Sequence, residues 1–267
     1  MNPEELKLVV QEKYGEIASQ SKNQNQSSCC GSPGCCEDMD YSIFSDDYTQ
    51  LEGHNADADL GLGCGIPTQY AAIKEGDHVL DLGSGAGNDC FVARTLVGET
   101  GSVTGVDFTD EMLEKARENL KKTGFRNIQF VKGDIERMPL PDNSFNVVIS
   151  NCVLNLVPDK ARAFSEIFRV LKPGAHFCIS DVVITGELPV KLREAAEMYA
   201  GCISGALQKE EYLDLIRKQG FHHLELKKEK EILIPNSILL NYISLEELRI
   251  FKKNRIGIYS ITVKAVK

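Results

Sequence analysis

Three cysteines stand in settings where a thiolate could do chemistry. Cys64 lies in Gly-Leu-Gly-Cys-Gly-Ile-Pro, Cys152 in Ile-Ser-Asn-Cys-Val-Leu-Asn-Leu, and Cys202 in Tyr-Ala-Gly-Cys-Ile-Ser-Gly-Ala. Thiolates are soft ligands, so sulfurs gathered from distant parts of a chain suit a soft, thiophilic centre. The plainer reading of a cysteine is a small buried hydrophobe, and it suits Cys90 and Cys178, which fall on a core helix and a core strand. Four more thiols crowd the segment Cys29-Cys-Gly-Ser-Pro-Gly-Cys-Cys36. The total of nine is odd and does not suggest a disulfide scaffold; it points to reduced, available thiols.

A second group with chemical potential is Val79-Leu-Asp-Leu-Gly-Ser-Gly-Ala-Gly-Asn-Asp89. Val79 to Leu82 reads as a buried strand and Asp89 onward as a helix, with a loop of alternating glycines between them. Such a loop lets backbone approach a ligand closely, and strand, loop and helix N-terminus together form a nucleotide crevice at the carboxyl end of a parallel sheet. The dinucleotide fingerprint GxGxxG is not met, because Asn88 holds its third glycine position. The next strand, Ser102 to Asp107, ends in a carboxylate able to accept hydrogen bonds from both hydroxyls of a ribose. This pattern, with Asp81 ahead of the glycines, resembles motif I of the class I S-adenosylmethionine-dependent methyltransferases. The resemblance implies that Gly83, Gly85 and Gly87 approach the methionine moiety and that Asp107 holds the ribose. It further implies that Met112 packs on the adenine, that Asp134 and Ile135 line its edge, and that Asn151 touches the methionine end. The alternatives for Met112 and Asp134 are a core helix residue and a surface-turn acid.

The elements that must position these residues alternate along the chain. Apolar spacing predicts a helix over residues 3–19, followed by a polar stretch to Asp40 that carries the clustered cysteines. A short helical or irregular, acid-containing lead-in runs from Tyr41 to Leu62, and Pro67 is expected to start a helix carrying Tyr70 to Ile73. Strands are expected at 79–82, 102–107, 128–131, 145–150 and 176–183, with helices between them that begin at Asp89, Thr109 and Asp159. Alternation of this kind means a parallel sheet with helices on both faces, and Lys172-Pro-Gly174 before the fifth strand again resembles class I methyltransferases. Helices at 190–201 and 208–219 precede two late strands near 222–229 and 257–265. In the resembled fold these two form an antiparallel edge pair, the seventh strand inserting beside the fifth. The expected fold is therefore α/β and Rossmann-like, a mostly parallel seven-stranded sheet flanked by helices, with an N-terminal Cys-rich arm. Residues 1–60 are expected to hold the N-terminal helix and flexible arm, and 61–267 the methyltransferase domain. Within that domain, 185–220 form substrate-side elements and 231–255 an insertion.

Composition narrows the field. A net charge of −9 and a pI near 5.2 argue against nucleic acid as the main partner. No apolar run approaches membrane-spanning length, and Met-Asn-Pro-Glu-Glu lacks the features of a secretory signal, so a cytoplasmic protein, expected to be monomeric, is predicted.

Taken together, the three cysteine sequences resemble the arsenite methyltransferases, across roughly residues 1–220. The resemblance implies a SAM-dependent enzyme that methylates trivalent arsenic, as arsenite or its thiol conjugates. By that resemblance Cys152 and Cys202 hold arsenic near the methyl group and Cys64 supplies a third thiol. Any of Cys29, Cys30, Cys35 or Cys36 could be the fourth. Thioredoxin or glutathione would serve as reductant. One departure is Ile66, where the family usually has Asn, which leaves the hydrogen bonding of that loop open. A small-molecule C- or O-methyltransferase on the same fold would not need the three cysteines. A thiol-based metalloid-binding protein would use the arm, whose paired cysteines lack the spacing of structural zinc sites.

Overall fold

The computed structural model describes residues 3–19, 46–189, 205–233, 236–240, 243–254 and 256–267. The arm cysteines 29, 30, 35 and 36, the expected helix over 190–201 and Cys202 lie outside these described residues.

Seven strands form one sheet: β1 His78–Leu82, β2 Ser102–Asp107, β3 Ile128–Lys132, β4 Phe145–Asn151, β5 Leu171–Thr185, β6 His222–Glu231 and β7 Gly257–Val266, in the order β3-β2-β1-β4-β5-β7-β6. The first five pair in parallel. β7 runs antiparallel between β5 and β6, so the sheet is mixed rather than wholly parallel. The order reverses between β1 and β2 on one side and β4 on the other. Crossovers leave in opposite directions there, and the carboxyl ends of β1 and β4 border a crevice.

Helix α1, Pro3–Ser19, packs on α3, Asp110–Thr123. Helix α2, Asn88–Val97, follows the glycine loop, α4, Lys160–Val170, precedes β5, and α5, Lys209–Lys218, precedes β6. One core lies on the face of α4 and α5, where Phe164 and Tyr212 meet edge to face with centroids 5.7 Å apart. The other lies on the face of α1, α2 and α3, around Phe91, Val97 and Leu113. The first core contains a buried polar pair, with Tyr212 Oη donating to Asp181 Oδ2 at 3.2 Å. Burial pushes the Asp181 carboxyl up to about 7.

Two local readings need correction. Pro67 opens only a 3₁₀ turn, Pro67–Gln69, not a helix through Ile73. Ala72 turns to φ +52°, which a right-handed helix cannot hold, and the Ala71 carbonyl accepts from His176 Nε2 at 2.5 Å instead. β5 begins at Leu171, so Lys172-Pro-Gly174 lies inside the strand, where the β4–β5 register shifts between Phe145 and Val147. The 231–255 stretch contains a short helix, α6 Asn236–Leu239, and α7 Leu245–Lys253, the latter opened by a Ser244–Glu247 capping box.

Candidate functional site

The thiol side of the crevice forms where β4 ends. Asn151 closes the strand, and Cys152 follows at φ +62° with its N–H donating to the Ser180 carbonyl at 2.8 Å. A left-handed cysteine is uncommon and costs about 1–3 kcal/mol; such residues persist where their surroundings fix them, often at sites of function. Cys64 approaches from a loop. Its N–H donates to Asn151 Oδ1 at 3.0 Å, and its carbonyl accepts from Ser260 Oγ at 2.5 Å. Cys64 and Cys152 share one buried apolar cluster with Val182, Ile184 and Ile258. The flanking glycines allow the loop this close. A Cβ at Gly63 would lie 2.4 Å from Asn151 Nδ2, and one at Gly65 would lie 2.6 Å from Ser180 Oγ. Ile66 packs with Tyr48 and Val92, so the loop takes its hydrogen bonds from Asn151, Ser260 and Tyr48 rather than from position 66.

The crevice continues along the glycine loop. Gly83 sits at φ +61°, and a Cβ there would stand 2.5 Å from Val153 Cγ2, so this loop lies against the residue that follows Cys152. Asp107 accepts the Gly85 N–H at 2.9 Å and the Thr109 N–H at 2.9 Å, leaving further lone pairs on both oxygens. Asp81, Asp107, Met112, Asp134, Ile135, Asn151 and Cys152 all line one cleft. Met112 is buried and Ile135 nearly so, giving apolar walls at the far end. Lys7 of α1 reaches this end, donating to Asp134 Oδ2 at 2.6 Å and contacting Glu136, while Val10 and Tyr14 add to the wall.

Acidity concentrates around the glycine loop. Burial raises the carboxyls of Asp81, Asp89 and Asp107, and the neighbouring Asp89 charge raises Asp81 further. Asp89 is pushed up to about 6 by burial, against the opposing hydrogen bonds from Asn151 and Tyr48. Cys90 Sγ donates to Asp81 Oδ2 at 3.2 Å, and burial pushes that thiol up, so it stays protonated. Tyr48 Oη lies 2.9 and 3.0 Å from the two oxygens of Asp89 and 3.0 Å from the Gly65 carbonyl. Asn151 Nδ2 donates to Tyr48 Oη at 2.8 Å, to the Gly65 carbonyl at 2.8 Å and to Asp89 Oδ2 at 3.2 Å. Buried acids beside the glycine loop, with the apolar surface of Met112 and Ile135 farther along, fit a cationic, adenine-bearing ligand such as S-adenosylmethionine.

Residues 73–220 match a family model described as a methyltransferase domain. An arsenite methyltransferase of Halobacterium salinarum is 41% identical over 242 residues, spanning 86% of this chain and 61% of that protein. An arsenite methyltransferase of Aquipseudomonas alcaligenes is 36% identical over 237 residues, 86% of this chain and 66% of that one. Among solved structures, an arsenic(III) S-adenosylmethionine methyltransferase from Chlamydomonas reinhardtii aligns with a TM-score of 0.66 at 40% identity, covering 77% of this chain and 67% of the other. The chain belongs to the arsenite methyltransferase family. It spans a little under two thirds of the length of the two curated relatives, at 61% and 66%.

Of the residues singled out in this family member's sequence, Asp81, Gly83, Gly85, Asp107, Met112, Asp134, Ile135, Asn151 and Cys152 line the cleft. Gly87 instead caps the start of α2, at φ +97°. Cys64 packs beside Cys152, while Cys202 lies outside the described residues. Among the described residues no group of three or more His, Cys, Asp or Glu side chains is arranged to hold a metal ion. Asp134 faces Lys7, a pairing across 127 positions that no local pattern announces. Sequence reading also missed Tyr48, in a stretch taken as short helical or irregular, and Asp89, read only as the start of a helix.

Proposed function

We propose that this protein methylates trivalent arsenic, taken as arsenite or a thiol conjugate, with S-adenosylmethionine as donor. The observation that carries the reading is the burial of Cys64 and Cys152 in one apolar cluster, with Cys152 also lining the cleft that the glycine loop and Asp107 border. A small-molecule C- or O-methyltransferase has no need of paired thiols there. Soft sulfur ligands match trivalent arsenic and can displace its oxygen ligands. Cys202, by its resemblance, completes the inner set.

S-adenosylmethionine, when bound, supplies an electrophilic methyl group to the arsenic lone pair, leaving S-adenosylhomocysteine and arsenic formally raised to the pentavalent state. The chain's own residues do the rest. Asp89 offers buried negative charge to the ligand's cationic end, Asp107 offers lone pairs to a ribose, and Met112 with Ile135 offers apolar surface to an adenine. Cys64 and Cys152 hold the acceptor in a water-poor setting, and no strong general base is required because the nucleophile is a lone pair. A thiol reductant of the thioredoxin or glutathione class then supplies two electrons, returning arsenic to the trivalent state and becoming a disulfide. A cytoplasmic setting fits a reaction that depends on reduced thiols.

The test is a transfer assay with methyl-labelled S-adenosylmethionine, arsenite and a thiol reductant, comparing wild type with Cys152→Ser and Cys202→Ser. Arsenite-dependent label transfer that vanishes in both variants, with S-adenosylmethionine binding intact, supports the reading. A wild type without arsenite-dependent transfer overturns it.

A further inference from the structure

The hydrogen bonds around Tyr48 join segments that are far apart in sequence. Its hydroxyl carries one proton yet lies within 3.0 Å of three acceptors, both oxygens of Asp89 and the carbonyl of Gly65. Asn151 Nδ2 donates to that hydroxyl at 2.8 Å, while Asn151 Oδ1 accepts the N–H groups of Cys64 at 3.0 Å and Gly65 at 3.3 Å. Asp89 lines the cleft, Gly65 follows Cys64, and Asn151 precedes Cys152. Tyr48 is only 5% exposed, so water competes little for its proton. Its segment is held down two residues earlier, where Lys228 Nζ donates to Asp46 Oδ2 at 2.5 Å.

We propose that Tyr48 is a positioning residue that couples the two halves of the site, its proton shared between Asp89 on the cofactor side and the Gly65 carbonyl on the thiol side. This rests on the function proposed above. Before a ligand binds, the unneutralised Asp89 carboxylate draws the Tyr48 proton. A ligand cation beside Asp89 weakens that pull, and the hydroxyl turns to the Gly65 carbonyl, fixing the loop that carries Cys64. Filling the cleft therefore orders the thiols, and by linkage arsenic on the thiols tightens binding in the cleft by the same factor. Burial holds the Tyr48 hydroxyl well above its ordinary range, with the Asp89 charge adding to the effect, so it remains a donor throughout.

The experiment measures dissociation constants for S-adenosylhomocysteine, which keeps the ammonium but cannot transfer a methyl group, with and without sodium arsenite in the presence of a thiol reductant. Arsenite binding is measured reciprocally. Wild type should show tightening of about fivefold or more in both directions. Tyr48→Phe, which keeps the ring and loses the proton, should bind each ligand separately and show a coupling factor near one. Asp89→Asn guards against a folding defect at position 48; it removes the charge that competes for the proton, so it should lose the coupling while binding arsenite alone as tightly as the wild type does with S-adenosylhomocysteine present. Coupling retained in Tyr48→Phe, or absent from a wild type that binds both ligands, overturns the proposal alone. A wild type that binds no arsenite overturns the function reading with it.

Discussion

Lys7 donates to Asp134 at 2.6 Å, tying the first helix of the chain to the apolar end of the cleft. Burial works against the Lys7 charge, but the carboxylates of Asp134 and Glu136 outweigh it and hold the ammonium above the ordinary lysine range. The pair is partly exposed, with the side chains 25% and 41% accessible, so it contributes about 1 kcal/mol or less. Lys7→Ala should weaken S-adenosylhomocysteine binding by up to about fivefold, by releasing α1 from the wall. Titration calorimetry would read it, and an affinity equal to wild type would show that α1 closes the cleft without this tie.

Gly63→Ala is expected to be severe for a different reason. The new Cβ would stand 2.4 Å from Asn151 Nδ2, the amide that holds Cys64. Loop and strand end must separate, so arsenite-dependent turnover should fall by about tenfold or more, as a misplacement of about 1 Å would cause. S-adenosylhomocysteine binding should fall less. Equal losses in both would assign Gly63 to general stability.

Acidity should govern binding in the cleft through Asp89, whose carboxyl burial pushes up to about 6. Below that pH the group is neutral and gives little to a cation; above it the carboxylate is available. The KM for S-adenosylmethionine should therefore rise as pH falls through about 6, and Asp89→Asn should flatten that dependence while raising KM at pH 8. A profile unchanged by the substitution would remove Asp89 from cation binding.

Asp181 makes the complementary prediction for stability. Its folded carboxyl is raised by burial to about 7, above its unfolded value of 3.8. The folded state therefore holds the proton more tightly. That stabilisation is fully present below about pH 4 and is lost as pH rises through about 7, a difference of order a few kcal/mol. Asp181→Asn can still accept from Val182 N–H and meet the Tyr212 hydroxyl without burying a charge. It should raise the Tm most at about pH 8, less at about pH 5, and leave it nearly unchanged only below about pH 4. A lower Tm at the higher pH would mean the charge itself is stabilising.

Much of the frame was legible because it is encoded locally. Alternating strand and helix periods, the glycine loop at 83–87 and the acid at Asp107 announce a parallel sheet with a ligand crevice, and each depends on residues only a few positions apart. The antiparallel edge followed from resemblance, since nothing in β7 itself says that it pairs with β5. The stretch 231–255 was read only as an insertion, and its Ser244–Glu247 capping box went unread. Where a segment's fate depends on a distant partner, local signals mislead. Pro67 has a good helix start, yet Ala72 turns away and the Ala71 carbonyl goes to His176, 105 positions on.

Short windows of the chain suffice to specify the elements, the order in which they alternate and the thiols available for chemistry, because backbone propensity, side-chain period and residue type are local properties. No such window contains the contacts that assemble the site. Asn151 holds the Cys64 loop, Tyr48 stands between Asp89 and Gly65, and Lys7 meets Asp134, across 87, 41 and 127 positions for the Asn151–Cys64, Tyr48–Asp89 and Lys7–Asp134 pairs. These pairings come only with the packed fold. Burial removes water as a competitor and leaves each polar group only the partners that packing brings within reach.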